Sequence, residues 1–183
     1  MTPWPDVTEW CEGGNTKWGV CFFAMFGNRL AQTTGQIMLP AEVVSAARVI
    51  EHLNVLDPTT DRGEVMEDGL NYIQKYGWPP DPMLTVRSWR RITREEIAAS
   101  LAADMMVGAA IGLPMNADGT NYDFTDGAVT RKAPIAFGHA VDVVDAEPLI
   151  FITWANPQGV TDTWLDQYCL AIYEIDFGPT LVA

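Results

Sequence analysis

The period of the apolar residues changes once, at residue 84, and a chain patterned this way is confined to a fold in which helices and a sheet come from separate stretches of sequence. Before the change, the run from Cys21 to Ala31 places apolar groups around most of a helix, which implies burial on nearly all sides. Pro40 stands at a first helical position, followed by a stripe of Val43, Ala46, Ala47, Ile50 and Leu53. A third helix is predicted from about Glu64 to Lys75, with Val65, Leu70 and Ile73 on its apolar face and Gly77 as its stop. After the change, Leu84 to Ile92 alternates β-branched and aromatic residues with polar ones, as a half-exposed strand does. Thr93-Arg-Glu-Glu96 forms a capping box that opens a short helix through about Ala102. Met105 to Leu113 is small and apolar enough for a buried strand, and residues 115–130 form a long acidic, Gly-containing loop. Further strands are predicted at His139–Val144, Leu149–Trp154 and Cys169–Ile175. The pattern predicts a single α+β domain over residues 1–183: an irregular lead-in at 1–19, a mainly helical part at 20–80, and a mainly β part at 84–177 with one short helix.

Composition narrows the function classes. With 48% hydrophobic and 19% charged residues the chain is expected to bury a core and fold alone. A net charge of −13 opposes approach to a phosphate backbone, so no nucleic-acid partner is expected. Arg87, Arg90, Arg91 and Arg94 form the one basic cluster and read as a solvated face. The sequence has no run of the ~18 apolar residues that crosses a bilayer and no basic-then-apolar leader, so a soluble protein without membrane insertion is expected. The odd number of cysteines, Cys11, Cys21 and Cys169, favours free thiols. The two histidines and scattered cysteines have no zinc spacing, residues 118–127 lack the acid positions of a calcium loop, and no phosphate loop follows a strand, so neither metal nor cofactor is expected.

Cys21 is the residue that carries chemistry in this reading. It opens a helix-like run, six residues after Asn15, and His139 and Asn156 follow far downstream. A thiolate nucleophile needs a base to deprotonate it, a third group to hold that base in one tautomer, and donors aimed at the oxyanion formed on carbonyl attack. The candidates are Cys21 as nucleophile, His139 as base, Asn156 as its orienting group, and Asn15 with the Cys21 amide as oxyanion donors. Cys11, which has Pro5 where a carboxamide would be needed, and Cys169 read as packing residues, and His52 as a helix-surface residue.

Three segments resemble the papain-like cysteine peptidase superfamily, including its distant phage and bacterial members and the double-glycine peptidases of bacteriocin exporters. Asn15-Thr-Lys-Trp-Gly-Val-Cys21-Phe-Phe-Ala is similar to the carboxamide, five-residue spacer and helix-opening cysteine of that family. Gly138-His139-Ala140-Val141 resembles its histidine strand, and Ile150 to Gly159, containing Asn156-Pro157, resembles the following strand and turn. The resemblance implies a papain-like fold, with the nucleophile helix packed on a C-terminal antiparallel sheet. It also implies hydrolysis of an amide bond in a peptide or protein substrate, or acyl transfer by the same residues. The chain departs from the family in having bulky Val20 and Phe22-Phe23 around the thiol and Asn15 in place of the commoner Gln.

A second reading keeps that fold without turnover, as a structural or binding protein such as a phage virion component. Free cysteines are mostly small buried hydrophobes, and His139 shares its strand face with Val141 and Val143 as a core histidine would. In this reading Trp4, Trp10 and Trp18 of the aromatic N-terminal segment contact an assembly partner rather than line a substrate cleft. The expected location is cytoplasmic or virion-associated.

Overall fold

The helix that begins at Cys21 is apolar on nearly every side because it is packed on nearly every side. In the computed structural model, which describes residues 18–119 and 121–180, α1 (Cys21–Thr34) buries Phe22, Phe23, Ala24, Met25, Phe26, Gly27, Asn28 and Ala31. It stops at Gly35, whose φ of 69° turns its N–H back to the Ala31 carbonyl at 3.0 Å. α2 (Pro40–Ile50) starts on proline, and the Glu42 carboxylate accepts the Leu39 N–H at 2.7 Å. α3 (Met66–Tyr76) crosses α1 closely. A Cβ on Gly69 would stand 2.4 Å from the Phe22 ring, so this crossing requires glycine.

The remaining elements are β1 (Leu84–Ile92), α4 (Ile97–Ala102), β2 (Met106–Pro114), α5 (Asp126–Arg131), β3 (Ile135–Ala146), β4 (Leu149–Thr153), β5 (Asn156–Gly159), α6 (Asp162–Tyr168) and β6 (Cys169–Pro179). The six strands form one sheet in the order β1-β6-β2-β3-β4-β5, every neighbouring pair antiparallel. The architecture is α+β, with the long helices in the N-terminal half and the sheet in the C-terminal half.

The sheet is covered on both faces, which the period-2 alternation of β2 makes visible. Met106 joins the core formed with α1, α2 and α3, while Val107, Ala109, Ile111 and Leu113 join a second core with α4, α5 and α6. Gly108 faces the first core, where a Cβ would meet the Met25 sulfur at 2.6 Å.

Helices α5 and α6 and strand β5 were not expected from sequence. The two helices are too short, at six and seven residues, to show a helical period. β5 reads Asn-Pro-Gln-Gly, poor strand residues held extended by pairing with β4. The stretch expected as a continuous loop over 115–130 ends in α5, and β3 begins at Ile135, four residues before His139. The Thr93 cap forms as predicted, with the Glu96 carboxylate accepting the Thr93 N–H at 2.8 Å.

One feature of the sheet positions the candidate site. β4 pairs with β3 only from Asp142 onward, opposite Ile152, so among the described residues 135–141 of β3 have β2 on one side and no strand on the other. An unpaired strand edge leaves main-chain N–H groups without ladder partners.

Candidate functional site

Cys21 is the first residue of α1 and takes up that free edge: the Ala140 N–H donates to its Sγ at 3.3 Å. The contact joins the tip of the first helix to the residue following His139, across 119 positions of sequence. Burial pushes the Cys21 thiol up, and the nearby negative charge of Glu51 adds to the rise. The amides of Ala140, Phe22 and Cys21 pull the other way, as expected at a helix N-terminus.

His139 is 5% exposed and sits opposite Ile111 in the β2–β3 ladder. Its Nε2 lies 2.8 Å from Thr153 Oγ1, and its ring stacks on Trp154 with centroids 4.6 Å apart and planes 11° from parallel. Trp154 in turn stacks on Tyr122 at 5.1 Å. Desolvation brings the His139 ring down to about 4, so it is neutral at pH 7.

The β4–β5 turn explains this packing. Trp154 and Ala155 both have positive φ, 44° and 58°, in the two-residue connection where hairpins ordinarily use Asn-Gly. A bulky residue in this region is strained. Here the turn places the indole between His139 and Tyr122.

Asn156 does not reach His139. It is exposed at the start of β5, and its Nδ2 donates to the Trp154 carbonyl at 2.7 Å across its own turn. Thr153, three residues earlier and 6% exposed, makes the bond to the imidazole instead. The available sequence signal was strand parity, since Thr153 continues the inward series Leu149, Phe151. Asn15, together with Cys11, Trp4 and Trp10, lies outside the described residues.

Cys21 and His139 line one cleft of about 880 Å³. Trp18, Tyr122, Trp154 and Tyr173 give it aromatic walls, and Asp61, Glu64 and Glu67 give it acidic ones. Asp61 also shapes the approach to the nucleophile, because its Oδ2 accepts the Gly19 N–H at 2.8 Å.

Other residues singled out from sequence have structural partners. Cys169 is half-buried, with its sulfur 3.6 Å from the Ala171 carbonyl and 3.8 Å from that of Ala110, and burial pushes it up to about 11. His52 is exposed just past α2, at a φ of 59°. Asp123 of the acidic loop is held low by the Thr125 hydroxyl and amide and by Arg131, and its carbonyl accepts the Trp164 indole N–H at 2.9 Å. The four arginines of the basic cluster bind the chain's own carboxylates: Arg87 to Asp176, Arg90 to Glu96 and Glu174, Arg91 to Glu67, and Arg94 to Asp162. Among the described residues no group of three His, Cys, Asp or Glu side chains is arranged to hold a metal, and no helix is long and apolar enough to cross a membrane.

No protein-family model matches the chain, and no curated protein matches it.

Proposed function

We propose that the cleft is the site of thiol-dependent hydrolysis of a peptide or other amide bond, by a chain with a papain-like fold. The observation that carries this reading is the juxtaposition of a helix-tip sulfur with the strand that bears the imidazole, Cys21 Sγ on the Ala140 N–H, in the lining of a cleft large enough for a peptide segment. With Nε2 engaged by Thr153, Nδ1 is the ring nitrogen we assign to take the thiol proton; in this structure the sulfur's hydrogen bond is to the Ala140 N–H and not to the ring. The sulfur then attacks the substrate carbonyl carbon, and the resulting oxyanion is met by the Cys21 N–H at the start of α1, with Asn15 as the second donor suggested by sequence. The imidazolium returns its proton to the leaving amine as the C–N bond breaks. Water, deprotonated by the same ring, hydrolyses the thioester and frees the thiol. Thr153 takes the orienting role first assigned to Asn156.

The test is turnover of fluorogenic peptide amides by the wild type, Cys21→Ala and His139→Ala. Each substitution is expected to reduce kcat/KM by about 10³-fold or more, and equal rates in all three would remove the hydrolase reading.

A second reading, a papain-like binding or virion component without turnover, is favoured by one observation: burial pushes the thiol up and the imidazole down, both toward their neutral forms. Iodoacetamide separates the two. Alkylation of Cys21 in the folded protein faster than that of a free cysteine supports the hydrolase, whereas protection of Cys21 supports the binding protein.

A further inference from the structure

Folded chains protect the free edges of their sheets, because an unpaired edge is a template for another strand. Both outer edges of this sheet follow that rule. β1 carries Arg87, Arg90 and Arg91, and α3 reaches its main chain through Gln74, whose Nε2 donates to the Arg87 carbonyl at 3.0 Å. β5 is four residues long and contains Pro157. The inner edge at the start of β3 is different. Ile135-Ala-Phe-Gly138 has neither charge nor proline, all four residues are exposed, and among the described residues no strand pairs with them on the side away from β2.

The contact with Cys21 fixes which groups of this edge are open. In an antiparallel ladder the main-chain groups of alternate residues point to the same side. Since the Ala140 N–H is turned away from β2 to Cys21 Sγ, the N–H and C=O of Gly138 are turned the same way. Gly138 lines the cleft, and a Cβ on it would meet nothing within 4 Å. Its φ lies outside the left-handed region. Neither conformation nor packing among the described residues calls for glycine here, whereas close approach of a second main chain does.

We infer that residues 135–138 of β3 are a docking edge for an extended peptide, which pairs antiparallel with β3 through its main chain and leads directly to Cys21. The occupant is an extended polypeptide because the open groups are a donor and an acceptor of one strand edge, which another extended main chain matches in register. The residue opposite Ala140 then presents its carbonyl to the sulfur, and the second residue after it exchanges both main-chain hydrogen bonds with Gly138. The edge therefore holds the leaving side of the substrate, and it accepts many sequences because main chain does the holding. The scissile bond in this assignment rests on the hydrolase reading, and the docking does not.

The experiment reads docking and turnover separately. Amide hydrogen exchange is followed by NMR in the intact chain, alone and with a millimolar mixture of acetylated, amidated hexapeptides randomised at every position. Alone, the Gly138 N–H is expected to exchange about a hundredfold faster than those of His139 and Val141, which belong to the β2–β3 ladder. With the mixture it should slow about tenfold, and a mixture N-methylated at every main-chain amide should leave it unchanged. Slow exchange of Gly138 in the chain alone, which would mean that the edge is already covered, overturns the inference. Equal exchange with the two mixtures does so too. Gly138→Val fills the open space without touching a described neighbour, so it should melt within about 2 °C of the wild type and lose the slowing at residue 138. A folded variant that keeps the slowing overturns the inference, and the native-chain comparison decides whether or not the variant folds. In peptides that are cut, N-methylation of the second residue past the cut should lower kcat/KM about tenfold, and that of the third, whose N–H points away from β3, should lower it little. Equal effects at the two positions overturn the pairing. Slowing at Gly138 without any cleavage upholds the docking edge and removes only the hydrolase.

Discussion

The two walls of the cleft are built on different principles. On the sheet side, His139 is fixed by side chains that carry no charge: the Thr153 hydroxyl at 2.8 Å and the Trp154 ring backed by Tyr122. On the helix side, Cys21 is fixed by main chain, through its place at the start of α1 and the Ala140 amide, and the charge of Glu51 acts on it. The imidazole wall therefore holds orientation and the thiol wall holds charge. Burial makes both walls sensitive to pH, with opposite sign.

The largest effect should come from His139. Its folded pKa of about 4 lies below the 6.5 of an unperturbed imidazole. Between these values the unfolded chain binds a proton that the folded chain does not, so stability contributed by the neutral ring is complete above pH 6.5 and is lost as pH falls toward 4. A shift of this size corresponds to about 3 kcal/mol. Urea denaturation at pH 7 and pH 4.5 should show that loss in the wild type and a smaller one in His139→Gln, whatever the variant's starting stability. Identical pH slopes would break the comparison at its sheet side, because they would mean that the ring is solvated.

Thr153 tests whether orientation matters apart from burial. Thr153→Val keeps the shape and removes the hydroxyl, which should cost about 1 kcal/mol of stability. If the ring is the base, kcat should also fall by about ten- to a hundredfold with KM little changed, and Thr153→Ser should restore most of it. A loss of stability with unaltered kcat would assign Thr153 to packing alone.

How much of this was legible in the sequence differs between the same two walls. The thiol side could be read because α1 is fourteen residues long and its apolar run ends at Cys21, so both the helix and its first residue stand out. The two long helices after it and the strand β2 were legible for the same reason of length and period. The imidazole side was only half legible. His139 sits in a recognisable apolar strand, but its partner was sought in Asn156, which has the right chemistry, when strand pairing delivers Thr153. The turn that decides this, Trp154-Ala155 at positive φ, carries no Gly or Asn to announce it. The helices covering the second sheet face were hidden by their length, and Glu51 by its apparent place on an exposed helix end, where nothing in the local pattern signals burial of its oxygens.

The smallest effect sharpens the thiol side. Glu51 is raised to about 7 from 4.5, so the fold favours its neutral form. Below pH 4.5 both states are protonated and nothing is lost. As pH rises toward 7 the unfolded chain ionises first and stability declines, levelling off once the folded carboxylate ionises as well. Because the Glu51 side chain as a whole is only half-buried, although its oxygens are covered, the decline should be a shallow one. Glu51→Gln should flatten this limb and leave the acid limb of His139 in place, and it should move the pH midpoint of Cys21 alkylation down by less than one unit, since one charge opposing the thiolate is gone. Asp142 provides the contrast. It is a buried carboxyl also raised by desolvation, but it accepts the Gln32 amide at 3.1 Å and has Arg29 lowering it. Asp142→Asn should therefore flatten a limb of the same sign without moving the Cys21 midpoint. If the two substitutions shift that midpoint equally, the effect belongs to burial in general and the carboxylates around Cys21 have no special place in the site.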